Sequence, residues 1–346
     1  MRIVVIRFSS LGDVILTTSL LPLLKEHYAH AEIYFCTKVH MADIVRYNPY
    51  IDGLVLLDDS GIQGLWRIIK QIQNLDADLI IDLHKNLRSF LIKNLLRHIP
   101  SITYQKSIRA RRLLVKTKKG KGDLFPHVVE RYLYCITPSV MKGKSPYDFP
   151  PKVYVSDEEL QCADHILASH TPDHCAMNLL IAINPGARWP TKKWPVEYFA
   201  ALADRLIEEK ALPIALLGSA EDKETVNEIL QYMRNRDKVL NICGKTSILQ
   251  LAAFMRHCTL IITNDSGPMH LAVSQQVPVV AIFGPTSKEF GFYPLGKNDR
   301  VMEADISCRP CSLHGSKECK KKHFRCMRDI TPQMVFEVVC STLSLS

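Results

Sequence analysis

From its first residues the chain sets short apolar runs between longer amphipathic stretches. Residues 2–7 are apolar apart from their ends and read as a buried parallel strand. The apolar spacing over 14–24 predicts a helix directly behind the turn Ser9-Ser10-Leu11-Gly12-Asp13. Apolar runs at 33–36, 54–57 and 79–82 predict further strands, and helical spacing appears at 65–73 and 87–97. Strands alternating with helices imply an α/β fold, a parallel sheet wrapped by helices, because parallel strands need crossover connections. The proline-rich stretch Ser145-Pro146-Tyr147-Asp148-Phe149-Pro150-Pro151 interrupts the rhythm and reads as a linker. A second α/β unit follows, with strands expected at 179–183, 213–217, 239–242, 260–263 and 277–283. Its helices are expected at 196–209, 222–233, 247–257 and 268–274, with Thr246 as N-cap of the third. No internal repeat is visible.

A length of 346 residues suits two domains, and 47% hydrophobic with 23% charged residues excludes disordered and fibrous classes. Lys plus Arg number 44 against 35 for Asp plus Glu, a net charge of +9, which favours anionic partners. The opening run returns to a charge at Arg7, too soon for the apolar core of a secretion signal, and no stretch reaches the roughly 20 apolar residues of a membrane span. The expected setting is the reducing cytoplasm, where the 11 cysteines are thiols or metal ligands rather than disulfides.

Several signatures are missing. No G-x-G-x-x-G follows the first strand, Gly244-Lys245-Thr246 lacks the first glycine of a P-loop, and neither H-E-x-x-H nor G-x-S-x-G occurs. Asp13 stands where the first strand hands over to the first helix, at the sheet edge where open α/β folds place ligands. It is a candidate general base, or simply a helix cap.

Three turns of the second unit carry phosphate-friendly chemistry. Asn184-Pro185-Gly186-Ala187-Arg188-Trp189-Pro190-Thr191-Lys192-Lys193-Trp194-Pro195 joins a strand to a helix with cations, and its prolines and tryptophans make it stiffer than a solvated basic loop. Thr263-Asn264-Asp265-Ser266-Gly267-Pro268-Met269-His270 places small residues at a helix N-terminus, where backbone N–H groups attract anions. Gly218-Ser219-Ala220-Glu221-Asp222 places a carboxylate within reach of a sugar hydroxyl. Together they indicate a nucleotide-diphosphate ligand.

These turns, with the Ser9–Asp13 turn and Phe283-Gly284-Pro285-Thr286, resemble in order and spacing glycosyltransferase family 9, the ADP-heptose:lipopolysaccharide heptosyltransferases. The resemblance implies the GT-B architecture, with two facing Rossmann-like domains. Residues 1–150 would bind the acceptor and 151–330 the nucleotide sugar, and 331–346 would be a helix packing back toward the first domain. It implies inverting transfer from ADP-heptose to a Kdo- or heptose-terminated lipid A acceptor, with no metal or other cofactor. Asp13 would be the base and Lys192 would hold the departing diphosphate. Arg188, Asp222, Asp265, Ser266, Gly267 and His270 would bind the donor; Arg188 stands where founding members often carry a small hydroxyl residue.

On the acceptor side, Asp82-Leu83-His84-Lys85-Asn86-Leu87-Arg88-Ser89 ends a strand with polar groups. With Ser10, the side chains of His84, Lys85 and Arg88 are the candidate acceptor contacts. Residues 106–121 hold Lys106, Arg109, Arg111, Arg112, Lys116, Lys118, Lys119 and Lys121 without an acid. This run suggests peripheral contact with an anionic membrane, expected at the inner face of the inner membrane, rather than with nucleic acid, because few aromatics interleave with the charges. Cys308, Cys311, Cys319 and Cys326 cluster, but the last two are too far apart for a zinc ribbon; a structural metal there stays open and none is assigned. The rival readings are an epimerase of the same fold, a transferase using another nucleotide sugar, and a non-catalytic nucleotide-sugar- or nucleic-acid-binding protein.

Overall fold

A computed structural model describes residues 1–58, 61–118, 125–136, 142–169 and 179–344. It divides into two compact units, Met1–Lys106 with Pro126–Tyr154, and Ser107–Phe125 with Val155–Ser346.

The first unit is built on strands β1 (Arg2–Ile6), β2 (Glu32–Lys38), β3 (Gly53–Leu57), β4 (Leu79–Asp82) and β5 (Ser101–Thr103), all parallel in the order β3-β2-β1-β4-β5. Ile3, Val4, Val5 and Ile6 are all fully buried, as expected of a central strand covered on both faces. Its helices are α1 (Leu11–Thr17), α2 (Leu21–His27), α3 (Asp43–Arg46), α4 (Gly61–Asn74), α5 (Leu87–Leu95) and, after a chain segment that joins the other unit as α6 (Ile108–Thr117), α7 (Val128–Leu133). One sheet face packs Val4, Ile6 and Ile80 against Ile68, Ile69 and Ile72 of α4 and Ile92 of α5.

The second unit runs α8 (Asp157–Ala168), β6 (Ile181–Asn184), α9 (Val196–Lys210), β7 (Ile214–Leu216), α10 (Lys223–Tyr232), β8 (Val239–Asn241) and α11 (Ile248–Met255). It continues through β9 (Leu260–Asn264), α12 (Gly267–Ser274), β10 (Val279–Phe283), β11 (Arg300–Glu303), α13 (Arg325–Arg328) and α14 (Pro332–Ser344). The parallel order is β11-β10-β9-β6-β7-β8. Both sheets therefore have the Rossmann order. In each, the chain steps outward from its first strand and then returns to that strand's other side, which opens a crevice at the carboxyl ends of β1 and β4, and of β6 and β9.

The structure corrects several expectations. The helix expected over 14–24 divides: α1 ends at Thr17, a 3₁₀ turn spans Thr18–Leu20, and α2 starts with Pro22 in its first turn. Proline has no N–H to donate to the Thr18 carbonyl, so a continuous helix fails there and a new one starts. Ser247 rather than Thr246 caps α11. Its Oγ accepts from Gln250 N (3.2 Å) while Gln250 Oε1 accepts from Ser247 N (2.9 Å). That reciprocal box needs a Glu or Gln three residues on, and Thr246 has Leu249 at that spacing.

The proline-rich stretch belongs to the first unit, and the contacts divide after Tyr154 instead of at 150. The basic run is partly structural. Arg111 is buried with its guanidinium 5.3 Å over the Phe292 ring, and Lys118 donates to the carbonyl of Pro310. Arg109, Arg112 and Lys116 are exposed, while Lys119 and Lys121 lie outside the described residues. The last helix, α14, adds Val335, Phe336 and Val339 to the core of the second unit and packs on α9. No helix among the described residues is long and apolar enough to cross a membrane.

Candidate active site

In the first unit, the crevice between the ends of β1 and β4 gathers Arg7, Ser10, Asp13 and His84. Ser10 is the N-cap of α1 and Asp13 its N3 residue, so the helix-cap role anticipated for Asp13 is real. It does not account for the whole side chain. Asp13 Oδ2 accepts from Ser10 Oγ (2.7 Å) and Ser10 N (3.2 Å) and pairs with Arg7 Nη2 (2.6 Å), whereas Oδ1 has no bond among the described residues. Burial works to raise the Asp13 carboxyl, but the Arg7 guanidinium and the Ser10 donors outweigh it and hold the group below the ordinary aspartate range. Arg7 itself is buried. Its Nη1 donates to the Leu83 carbonyl and its guanidinium lies 5.9 Å from the Tyr132 ring centre. Tyr132 packs edge-on against Tyr104 at 5.1 Å, and burial raises both phenols above their ordinary range.

The loop after β4 is shaped by Asp82, buried at the strand's end. Its Oδ1 accepts from His84 N (3.0 Å) and Lys85 N (2.7 Å), and Lys93 Nζ pairs with Oδ2 at 2.9 Å. This turn holds Lys85 in the left-handed region, φ +51°, with Nζ 3.3 Å from Gln105 Oε1. His84 packs edge-on against Phe8, and Arg88, in the first turn of α5, is exposed. Burial, with the cations of Arg7 and Lys106 nearby, pushes the His84 imidazole down to about 4. His84 is therefore neutral at pH 7 and able to donate through one ring nitrogen while accepting through the other. Because its folded value lies below its unfolded one, the stability it contributes is present above about pH 6.5 and lost as pH falls toward 4. Two-dimensional NMR of the imidazole is expected to show it mainly neutral down to pH 5, with a midpoint near 4; a midpoint near 6.5 contradicts this environment.

In the second unit, the crevice between the ends of β6 and β9 brings Lys192 and Asp265 together. Lys192 Nζ lies 2.6 Å from Asp265 Oδ2 and 3.0 Å from the Asp265 carbonyl oxygen, and Thr286 Oγ1 donates to the same Oδ2 (2.6 Å). Asn264 fastens the two loops. Its Oδ1 accepts from Trp194 N (3.0 Å) and its Nδ2 donates to the Pro185 carbonyl (2.7 Å), while buried Trp194 donates to the Ile330 carbonyl (2.9 Å). Ser266 is the N-cap of α12, with Gly267 and Pro268 in its first turn. The Ser266 Oγ is buried without a hydrogen bond among the described residues, leaving it and the first N–H groups of α12 as donors. His270 is buried one turn further along.

Asp222 lies after β7, with Oδ2 accepting from Ser219 Oγ (2.8 Å) and Ser219 N (3.0 Å). Its carboxylate approaches Gly186 so closely that a Cβ there would sit 2.6 Å from it, so a side chain at that loop position would displace the carboxylate. Arg188 is exposed, 5.8 Å over the Trp189 ring, and is not drawn into the Lys192–Asp265 group.

Sequence reasoning missed four groups. Arg7 was visible as a charge closing a buried strand; Tyr104 and Tyr132, beside it, carried no signal of their own. Arg309, also buried, donates to the carbonyls of Gly284, Ala304 (2.8 Å) and Thr286 (2.8 Å) and so fixes the loop that brings Thr286 to Asp265. Cys311, Cys319 and Cys326 line one pocket, and Cys308 Sγ lies 3.8 Å from His323 Nε2. No group of three or more Cys, His, Asp or Glu among the described residues is placed to hold a metal ion.

Two Rossmann units, one with a carboxylate and the other with an anion-ready loop at its switch point, define an α/β protein with the sites of a phosphate-bearing ligand. Comparison with known proteins gives the family. The profile of glycosyltransferase family 9 (heptosyltransferase) matches residues 65–323. The chain is 30% identical to lipopolysaccharide heptosyltransferase 2 of Salmonella typhimurium, with 99% of each covered. It is 27% identical to lipooligosaccharide heptosyltransferase 2 of Campylobacter jejuni, with 95% of each covered. Among solved structures, a family 9 glycosyltransferase from Veillonella parvula superposes with a TM-score of 0.80 at 26% identity, covering 100% of this chain and 97% of that one. The E. coli ADP-heptose lps heptosyltransferase II gives 0.76 at 27% identity, with 100% and 99% covered. The chain belongs to glycosyltransferase family 9, the heptosyltransferases, and is a glycosyltransferase.

Proposed function

We propose that the chain transfers heptose from ADP-heptose to a Kdo- or heptose-terminated lipid A acceptor of the lipopolysaccharide inner core, with inversion at the anomeric carbon. Family membership favours transfer over epimerisation. The observation that carries the reading is the state of Asp13: ionised, held by Oδ2, and open at Oδ1 beside the acceptor loop. The acceptor hydroxyl oxygen attacks the anomeric carbon, the bond to the β-phosphate oxygen breaks, and the hydroxyl proton passes to Asp13 Oδ1. ADP leaves with an added negative charge. Lys192 spends two of its three N–H donors on Asp265, so the third, with Ser266 Oγ and the N-terminus of α12, is available to the departing diphosphate. Asp222 and His270 serve the donor's nucleoside or sugar, and Arg188 closes over it from the exposed side. Ser10, neutral His84, Lys85 and Arg88 bind the anionic acceptor sugar. Work on a lipid-linked acceptor would suit the cytoplasmic face of the inner membrane, in peripheral contact with anionic lipid, a reading that exposed Arg109, Arg112 and Lys116 support.

ADP release from ADP-heptose, followed with and without Kdo-lipid A and a heptosylated acceptor, tests the assignment. Release that depends on one acceptor is the expected result and names the inner-core position. Release without any acceptor, or silence with all of them, overturns it.

A further inference from the structure

The basic run was the natural candidate for a membrane contact, yet Arg111 is buried and Lys118 bonded within the second unit. A different surface, in the first unit, has stronger credentials. Helices α4 and α5 cover the same face of the first sheet, touch each other and share one core. Their outer surfaces are apolar where a soluble helix is polar. Ile62 and Trp66 of α4 are 74% and 51% exposed, and Leu87, Phe90, Leu91 and Leu95 of α5 are 72%, 59%, 36% and 45% exposed. The spacings, four residues in α4 and three, four and eight from Leu87 in α5, put each set along one side of its helix. Scattered exposed leucines are ordinary, but six large apolar side chains on two touching helices form a patch of the kind that marks an interaction surface.

What covers this patch is indicated by its charge and its place. Neither α4 nor α5 contains an acid. From Leu83 to Lys106 the chain carries Lys85, Arg88, Lys93, Arg97 and Lys106 with no Asp or Glu, and Lys70 adds a cation on α4; Arg67 of α4 is paired with Asp58, and Lys93 with Asp82. Lys70, Lys85, Arg88 and Arg97 are exposed. An apolar face with a tryptophan and a rim on which exposed cations outnumber acids is the composition of a surface that lies in the headgroup region of an anionic bilayer. Short connections join β3 to α4 and β4 to α5 in a parallel sheet, so both helices begin at the carboxyl edge that carries Asp13 and His84. Five of the six apolar side chains lie in the first two turns of their helices, at that end.

We infer that the outer face of α4 and α5 seats this protein on an anionic phospholipid bilayer, with Trp66, Leu87 and Phe90 entering the headgroup boundary beside the acceptor loop. The inference rests on reading the chain as an enzyme of lipid-linked acceptors, and specifies the surface that meets the lipid. A protein working on a lipid-anchored sugar gains by holding its acceptor crevice at the bilayer.

The test is cosedimentation of the full chain with phosphatidylethanolamine vesicles containing phosphatidylglycerol, against neutral phosphatidylcholine vesicles, together with quenching of Trp66 fluorescence by lipids brominated in their tails. Phe90→Gln is expected to weaken partitioning into the anionic vesicles about tenfold, the effect of withdrawing one large apolar side chain from an apolar setting. It leaves turnover of a soluble, delipidated acceptor unchanged. Trp66 emission should be quenched, and Trp66→Phe should abolish that quenching while preserving binding. Wild-type binding that Phe90→Gln leaves intact, or binding without quenching of Trp66, overturns the assignment of this face and leaves the peripheral reading standing. Absence of any vesicle binding by the wild type overturns the peripheral reading itself. A wild-type dimer in sedimentation velocity that Phe90→Gln dissolves shows the face to be an interface between copies and also overturns the inference.

Discussion

Asp13→Asn lowers the transfer rate by about 10²- to 10⁴-fold, the range that a positioned general base supplies, while the affinity for ADP-heptose stays within a factor of about two. Asn keeps a side-chain oxygen for the Ser10 donors and so preserves the start of α1, but cannot take up a proton. Arg7 gives the prediction a second arm. Its guanidinium occupies Asp13 Oδ2 at 2.6 Å and holds the carboxyl low, so the base is already ionised in mild acid. The acid limb of the kcat profile records protonation of that carboxyl, and a depressed pKa puts the limb below the ordinary aspartate value. Arg7→Met removes the stabilising charge and is expected to move the limb upward by about one unit or more. Arg7→Lys, which keeps a charge, moves it less. The same sign governs stability. Since the folded pKa of Asp13 lies below the unfolded one, its contribution is present above the ordinary aspartate range and is lost as pH falls through the folded value. Undiminished turnover in Asp13→Asn removes the base. An unmoved limb in Arg7→Met, with Asp13 still essential, makes Arg7 only a structural support.

Lys192→Ala is expected to slow transfer by about 10²- to 10³-fold and to weaken donor binding, with ADP losing far more affinity than AMP. The contrast between the nucleotides follows from geometry. Lys192 sits at the crevice between β6 and β9, where its remaining donor suits the terminal phosphate of ADP, a group AMP lacks. Asp265 complicates a single substitution. Its side chain is 12% exposed and paired with Lys192, so the alanine variant leaves a carboxylate with Thr286 as its only side-chain partner among the described residues. Asp265→Asn, alone and combined with Lys192→Ala, separates the two effects. If the lysine acts on phosphate, the double variant stays as slow as the single one even where its thermal stability recovers. Equal losses for ADP and AMP, or recovery of rate with stability, contradict the phosphate role.

The parts of the site differed in how readable they were. Asp13, Lys192, Asp265 and Ser266 were visible because strand ends, small-residue turns and helix starts are local patterns, and the α/β rhythm sends such turns to one sheet edge. Arg188 is legible as a loop cation, and only the structure shows that it stacks on Trp189 at the surface. Arg111 carried the signature of a solvated cation and is buried against Phe292, a partner 181 positions away that no local pattern marks. Thr246 and Ser247 are adjacent hydroxyl residues, and only the side chain three positions on distinguishes them. In the long apolar run after the first turn, Pro22 was present all along. Hydrophobic spacing outweighed it, whereas the missing N–H decided the outcome.

By itself, the sequence determined the alternation of strand and helix, the presence of two units, and the turns that carry carboxylates and cations, because two-fold and 3.6-fold apolar periodicity and turn chemistry act over a few residues. Tertiary structure alone decided which oxygen of Asp13 is held and which is open, that Lys192 meets Asp265 across 73 residues of chain, and that α4 and α5 present apolar faces together. Those outcomes depend on strand order. Pairing β1 with β4 and β6 with β9 brings distant loops to one edge, and the free energy of that pairing is summed over whole sheets rather than written in any one segment.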